Sequence, residues 1–283
     1  MLGSSLKWML ILGLSTLYLQ GSAQEIYHKQ AIYKMTFQPD SNDIESRSTM
    51  DMELLINDDN SLFQSLKQRQ KDSVLYFHQP DIASKTSYGG GIILKPIHKF
   101  SYKIIKEDNV IQVYDSAFGL NLQGKDIIYV YEEPKDSLHW QIREDTLHFA
   151  NSICQRADLT YGGRIWTAWF APDIPVFDGP YKFAGLPGLI VKISDEKGFW
   201  DFELTSLNTV SIEHAINFQQ WFVFEEKSKE ELYQDRRDFQ KSMPIWTADS
   251  NPENPADKEF IKDYLKKLKP MMQKDNNWIE LIP

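Results

Sequence analysis

Two stretches near the start of the chain alternate apolar and polar positions. Through residues 26–37 and 49–56 the residues change sides at every step, with Met50, Met52 and Leu54 on one side and Asp51, Glu53 and Leu55 on the other. Successive side chains of a strand point to opposite faces, so both runs predict half-buried β-strands. Asn57-Asp58-Asp59-Asn60 breaks the second run as a turn. Short runs of the same kind follow at 74–77, 91–94, 100–105, 110–114, 127–131 and 138–142. Between them lie turn formers such as Gly89-Gly90, Glu107-Asp108-Asn109, Gly119, Gly124 and Pro134. No helical crossovers separate these runs, and parallel strands would need them, so an antiparallel sheet is expected.

A helical period appears only towards the end. Ser228 with Glu231 three residues on forms a capping box, opening a helix that runs to residue 242 and carries Leu232, Tyr233 and Phe239. A second helix starts after Asn254-Pro255. It places Phe260, Ile261, Tyr264, Leu265 and Leu268 on one stripe, opposite Lys258, Lys262, Lys266 and Lys269, and Pro270 stops it. Asp257, Glu259 and Asp263 interrupt the lysine face, which therefore reads as solvated rather than lipid-binding. Residues 276–282 close the chain as a last strand. The fold class expected is α+β and predominantly antiparallel β: a curved sheet or open half-barrel, with a few helices mainly in the C-terminal third. Residues 24–283 are read as one β-rich domain, because no repeat or low-complexity linker divides them.

Residues 1–23 stand apart from this pattern. Lys7 precedes a largely apolar stretch, 8–19, and Gly21-Ser22-Ala23 supplies small residues for cleavage, which is the order of a secretory signal peptide. The apolar stretch is too short to span a bilayer. Cleavage after Ala23 is expected, leaving Gln24 first, no later membrane span, and a protein that is periplasmic or secreted.

Composition narrows the classes further. With 31 Lys+Arg against 40 Asp+Glu the net charge is −9, so phosphate backbones would be repelled and nucleic acid is not an expected partner. The 42% hydrophobic and 25% charged shares exclude disorder and coiled coil for the chain as a whole. A lone Cys154 allows no internal disulfide in an exported protein, and it reads as buried and inert. The six histidines are scattered, and neither a G-x-S-x-G elbow nor an H-E-x-x-H helix is present. Asn57-Asp58-Asp59-Asn60 lacks the Gly and distant Glu of an EF-hand loop. The acidic pairs Glu132-Glu133 and Glu225-Glu226 read as solvated, with their carboxylates pointing different ways. No catalytic residue, metal site or cofactor is assigned.

The most specific signal lies within 162–193. It reads Gly162-Gly163-Arg164-Ile165-Trp166-Thr167-Ala168-Trp169-Phe170-Ala171-Pro172-Asp173-Ile174-Pro175, then Asp178-Gly179-Pro180-Tyr181-Lys182-Phe183, then Gly185-Leu186-Pro187-Gly188-Leu189-Ile190. Pro187 and Gly188 suit the central positions of a type II turn, with Gly185 before them. A strand at 189–193 should leave this turn, and 199–207 should return beside it as a hairpin. The stretch resembles the GLPGLI family, whose name residues 185–190 spell. Ser61-x-Phe63-x-Ser65, Cys154-Gln155-Arg156-Ala157 and Trp278-Ile279-Glu280-Leu281 are similar to weaker patterns of the same family. The resemblance implies an exported protein of the Bacteroidota lineage and brings no catalytic residue with it.

Two readings of the motif stand. Arg164, Trp166, Trp169, Phe170, Tyr181, Lys182 and Phe183 could form an aromatic binding surface for a peptide, glycan or apolar ligand. The same residues could be a packed corner of the sheet, with the turns fixing its shape. Function is read accordingly as a non-enzymatic exported binding or accessory protein for a peptide, lipid or outer-membrane partner. An envelope hydrolase of unfamiliar type and a structural or assembly component are the alternatives. Oligomeric state is left open.

Overall fold

The computed structural model describes residues 24–67, 69–70, 100, 102–115, 126–215, 222–242, 259, 262, 266 and 274–283. The expected signal peptide and the expected strands at 74–77 and 91–94 lie outside these residues. The described strands are β1 (Gln24–Phe37), β2 (Ser48–Ile56), β3 (Asn60–Ser65), β4 (Lys103–Glu107), β5 (Val110–Asp115) and β6 (Asp126–Pro134). They continue with β7 (Gln141–Phe149), β8 (Ser152–Tyr161), β9 (Arg164–Ala171), β10 (Leu189–Asp195), β11 (Trp200–Ala215) and β12 (Phe222–Glu226). One helix, Lys229–Ser242, follows β12. Its capping box is formed as expected, with Glu231 N–H donating to Ser228 Oγ and Ser228 N–H to a Glu231 carboxylate oxygen.

All twelve strands form one sheet in the order β12-β6-β5-β4-β3-β2-β1-β11-β10-β9-β8-β7. Two meanders, β1 to β6 and β7 to β11, run outward and back, and they meet at the long antiparallel pair β1 and β11. Every pairing is antiparallel except β12 with β6. That exception arises because the chain leaves β11 in mid-sheet and returns at the far edge instead of turning back as a hairpin.

Connection lengths require the sheet to curl. β6 and β7 are ten positions apart in the order, about 48 Å if the sheet were flat. Only residues 135–140 join them, a link that reaches about 25 Å at most. The sheet is therefore an open curved one, as the alternating pattern predicts. Its main core gathers Tyr33, Phe63, Ile104, Trp166, Phe170, Phe202 and others on the concave side. Smaller clusters sit on the other face, around Tyr27, Leu55 and Leu62 and around Cys154, Ala171 and Val191. Cys154 is buried, as expected for an inert thiol, and burial pushes its pKa up, with Asp173 adding to the effect.

Several expectations change. β3, β8, β9 and β12 are strands that the pattern reading does not assign, and β7 begins where the run 138–142 was expected to end. Residues 276–282 form no strand. They are an extended strap whose Asn276 and Asn277 N–H groups donate to Pro39 O and whose Leu281 N–H donates to Gly162 O. Of the second expected helix, Glu259, Lys262 and Lys266 are described, helical and exposed.

The Pro187-Gly188 turn also differs from expectation. Gly188 N–H donates to Leu186 O at 2.8 Å, closing a γ-turn around Pro187, while Leu189 N–H goes to Ile174 O. Gly188 sits at φ +153°, well away from the value a type II turn requires. Close packing explains why glycine is there: a Cβ would lie 2.6 Å from the Ala171 carbonyl carbon and 2.9 Å from Pro172 Cα.

Candidate functional site

The segment between β9 and β10 folds into the concave side of the sheet. Phe183 N–H donates to Pro180 O, closing a turn in which Tyr181 takes the left-handed conformation at φ +54°. That conformation costs a non-glycine residue of the order of 1 kcal/mol. In return, three consecutive side chains, Tyr181, Lys182 and Phe183, are all buried. Phe183 packs against Trp166 at 4.8 Å between ring centroids, and Trp140 on the β6–β7 link donates its Nε1 hydrogen to Ala184 O.

Lys182 reaches the centre of a ring of four charges. Its ammonium contacts Glu133 on β6 and lies 2.6 Å from Glu280 on the C-terminal strap. Lys229, at the start of the helix, closes the ring at 3.0 Å from Glu133 and 2.6 Å from Glu280. Four segments distant in sequence thus meet in an alternating and neutral arrangement. Tyrosines enclose it. Tyr131 OH accepts from Lys182 at 3.0 Å, Tyr161 OH donates to Glu133 at 2.6 Å, and Tyr181 OH donates to Glu280. Lys182 also lies over the Tyr131 ring, and Lys229 over the Tyr161 ring, within cation–π range.

Burial and charge oppose each other here, and charge wins. Desolvation alone would drive Glu280 towards its neutral form, but Lys182 and Lys229 and their hydrogen bonds hold its carboxyl down at about 2. Desolvation likewise opposes the Lys182 ammonium, yet Glu280 and the neighbouring tyrosines keep its pKa well above the usual value. Burial, with carboxylates beside the hydroxyls, raises the pKa of Tyr131, Tyr161 and Tyr181. Every group in the ring whose pKa is displaced is fixed in one protonation state near neutrality.

A cleft of about 460 Å³ opens over the ring, lined by Tyr131, Glu133, Tyr161, Lys227, Lys229 and Pro283 among others. Glu133 and Lys229 are the ring members nearest solvent, with side chains 11% and 12% exposed. The floor is built on Gly162, at φ +58°, where a Cβ would come within 2.6 Å of Glu280 Cγ. Only glycine lets the strap lie that close while accepting the left-handed turn.

The seven residues expected to form a surface are distributed differently. Trp166, Phe170, Tyr181, Lys182 and Phe183 lie in the concave interior, and Arg164 is buried as well. Arg164 binds Asp195 at 2.9 Å, Asn277 at 2.6 Å and the carbonyls of Trp278 and Ile279, so it anchors the strap. Trp169 alone is half-buried, on the opposite face beside Cys154 and Val191. The expected aromatic surface is thus interior packing: alternate residues of β9 face inwards, and the left-handed turn draws the rest in after them.

Sequence reasoning missed Glu133, Lys229 and Glu280 as partners. Glu132 and Glu133 do point different ways as expected, but only Glu132 is exposed, while Glu133 turns into the ring. A second buried cation, Lys106, contacts Asp178 and donates to Gly179 O at 2.7 Å. Its pKa is lowered by desolvation, which Asp178 offsets only in part. Among the described residues no group of three or more His, Cys, Asp and Glu could hold a metal ion, and no helix is long and apolar enough to cross a membrane.

The fold and site define an open, curved, mostly antiparallel sheet clamped on its concave side by a neutral charge ring. A family described as "Protein of unknown function (Porph_ging)" matches residues 156–192, from β8 through the Gly188 turn into β10. No curated protein matches the chain. Two solved structures of PNGF-II, in the P21 and C2 space groups, are similar at 14% and 15% identity, covering 74% and 75% of this chain. Their TM-scores are 0.48 and 0.46, and the chain spans 32% of each of those proteins. A likeness that weak carries neither fold detail nor function across.

Proposed function

We propose that this is an exported, GLPGLI-type, non-catalytic binding or accessory protein of the cell envelope, whose partner is a polar peptide segment held in the cleft over the charge ring. The observation that carries the reading is the lining of that cleft. Glu133 and Lys229 present opposite charges beside the Tyr131 and Tyr161 hydroxyls, so peptide groups of either sign find a partner while an acyl chain does not. The fixed protonation states of Glu280 and Lys182 favour recognition over acid–base chemistry. Export follows from the signal-like order of residues 1–23, and the domain is taken to span 24–283.

The buried thiol makes a clean test possible. With Cys154 shielded, Ser137→Cys would give a single reactive thiol at the cleft, and Asn208→Cys one on the exposed face of β11. Each variant is labelled with a photo-crosslinker and irradiated in envelope extract. The expected result is a discrete polypeptide adduct from position 137, absent from position 208 and competed by unlabelled protein. Equal labelling from both positions, or none from 137, overturns the reading.

A further inference from the structure

The convex face carries a second cleft, also of about 460 Å³, across β7 to β10. Its geometry follows from strand register. Gln141, Asp158, Thr167 and Ser194 are successive cross-strand partners, so they form one straight polar row over four strands. Arg156 stands two residues before Asp158 on the same face of β8. Arg143 comes from the interruption in β7, where the register slips between Ile142 and Thr146 and three residues oppose one.

The two arginines are bracketed on a single carboxylate. Arg143 Nε meets Asp158 Oδ2 and Arg156 Nε meets Asp158 Oδ1, each at 2.9 Å, and Thr167 Oγ1 donates to the same carboxylate at 3.1 Å. Burial works against the charge on Asp158, but these three bonds outweigh it and lower its pKa. Arg143 spends one further nitrogen on Gln141 at 2.7 Å, and Arg156 makes no other hydrogen bond among the described residues. Two guanidiniums against one carboxylate leave an excess positive charge and unspent N–H donors, aimed from side chains that are 44% and 36% exposed. Glu196 lies at the other end of the cleft, beyond Ser194, so the site is positive over β7 and β8 and negative past β10. The span between β8 and β10 is about 10 Å, two strand spacings.

We infer that this cleft binds a carboxylate-bearing ligand whose other end donates hydrogen bonds, with the carboxylate on Arg143 and Arg156 and the donors on Ser194 and Glu196. The one net positive charge of the bracket over β7 and β8 matches a single carboxylate, and Glu196 at the far end is left to accept from the ligand's donors. Arginine suits the role because its planar fork bonds a carboxylate through two parallel N–H groups. An acidic sugar and a peptide C-terminus share this chemistry.

Isothermal titration of the full chain with D-galacturonate, with N-acetylglycine and with neutral galactose tests the proposal and separates the two sources. Binding of at least one acid below about 10 mM is expected, weakening with salt, with no binding of galactose. Arg143→Gln and Arg156→Gln should each weaken it about tenfold, since each removes a charge-assisted hydrogen bond. Lys192→Gln, which pairs instead with Glu203 on β11, should leave it unchanged. Should Arg156→Gln fail to fold, Arg143→Gln, on the exposed edge strand, decides alone. Absence of binding by both acids, or binding undiminished in Arg143→Gln, overturns the proposal.

Discussion

The two faces of the sheet use the same pair chemistry, basic side chain against carboxylate, to opposite ends. On the concave side, Lys182 and Glu280 are fully enclosed, and each charge meets two of the opposite sign. On the convex side, Arg143 and Arg156 share one carboxylate and remain well exposed. Counting the charges separates the roles. The ring spends its enclosed charges, Lys182 and Glu280, on its own members and so serves as a clamp, leaving only the Glu133 and Lys229 edge to the cleft, whereas an unbalanced and open bracket keeps donors in reserve. Burial also sets the energetic stakes, because an unpaired charge in the interior costs several kcal/mol and one at the surface costs little.

The sharpest way to break this comparison is to remove one member of the ring. Lys182→Met would leave Glu133 and Glu280 confined together with only Lys229 between them, and urea denaturation should show a loss of about 3–5 kcal/mol. The double variant Lys182→Met/Glu280→Gln removes one charge of each sign and should recover part of that loss, because contacting residues couple by about 0.5–3 kcal/mol. A loss below about 1 kcal/mol in Lys182→Met would mean that the ring is not what holds strap, helix and β6 together.

Acid should expose the same clamp from the other side, with a smaller effect. The Glu280 carboxyl lies at about 2 in the folded protein against an ordinary 4.5. A folded pKa below the unfolded one stabilises at pH above the unfolded value, and that contribution fades as pH falls through the folded value. The urea midpoint should therefore fall as pH goes from about 4.5 towards 2, and Glu280→Gln should flatten that part of the profile. If the variant keeps the wild-type slope, the ring does not supply the acid sensitivity.

The comparison also marks where sequence reading reaches its limit. Turn chemistry located the hairpin of β10 with β11, and period-two patterning located β2 and also β1 and β5, in which buried positions alternate with more exposed ones. It failed at β7, Gln-Ile-Arg-Glu-Asp-Thr-Leu-His-Phe, since an edge strand exposed on both faces has no alternation to read. Glu53 in β2 looked like a solvent-facing residue yet is fully buried with Gln30, Gln64 and Arg69, because satellite packing covers that part of the outer face as well. The aromatic motif was legible as a corner of the fold and illegible as to direction. Whether Tyr181 faces in or out depends on one left-handed residue that a Pro-Tyr-Lys-Phe run does not announce. Nothing local could reveal the ring, whose members lie 47 to 147 positions apart along the chain. Only the adjacency of Lys182 to buried aromatics, and the Gly162-Gly163 pair that seats Glu280, left a trace of it.

The smallest expected effect sharpens the contrast most directly. Arg143→Gln removes a charge from the convex bracket, where the side chain is 44% exposed and belongs to the irregular part of an edge strand. Its ion pair with Asp158 is screened by water and salt, and Asp158 keeps Arg156 and Thr167 as partners. The expected change in unfolding free energy is therefore within about 0.5 kcal/mol, and it should shrink further as salt is raised. If Arg143→Gln instead cost as much as Lys182→Met, the bracket would be a second clamp with its charges fully committed. Its arginines would then have no donors to spare for a ligand, and the distinction between a closed concave face and an open convex one would collapse.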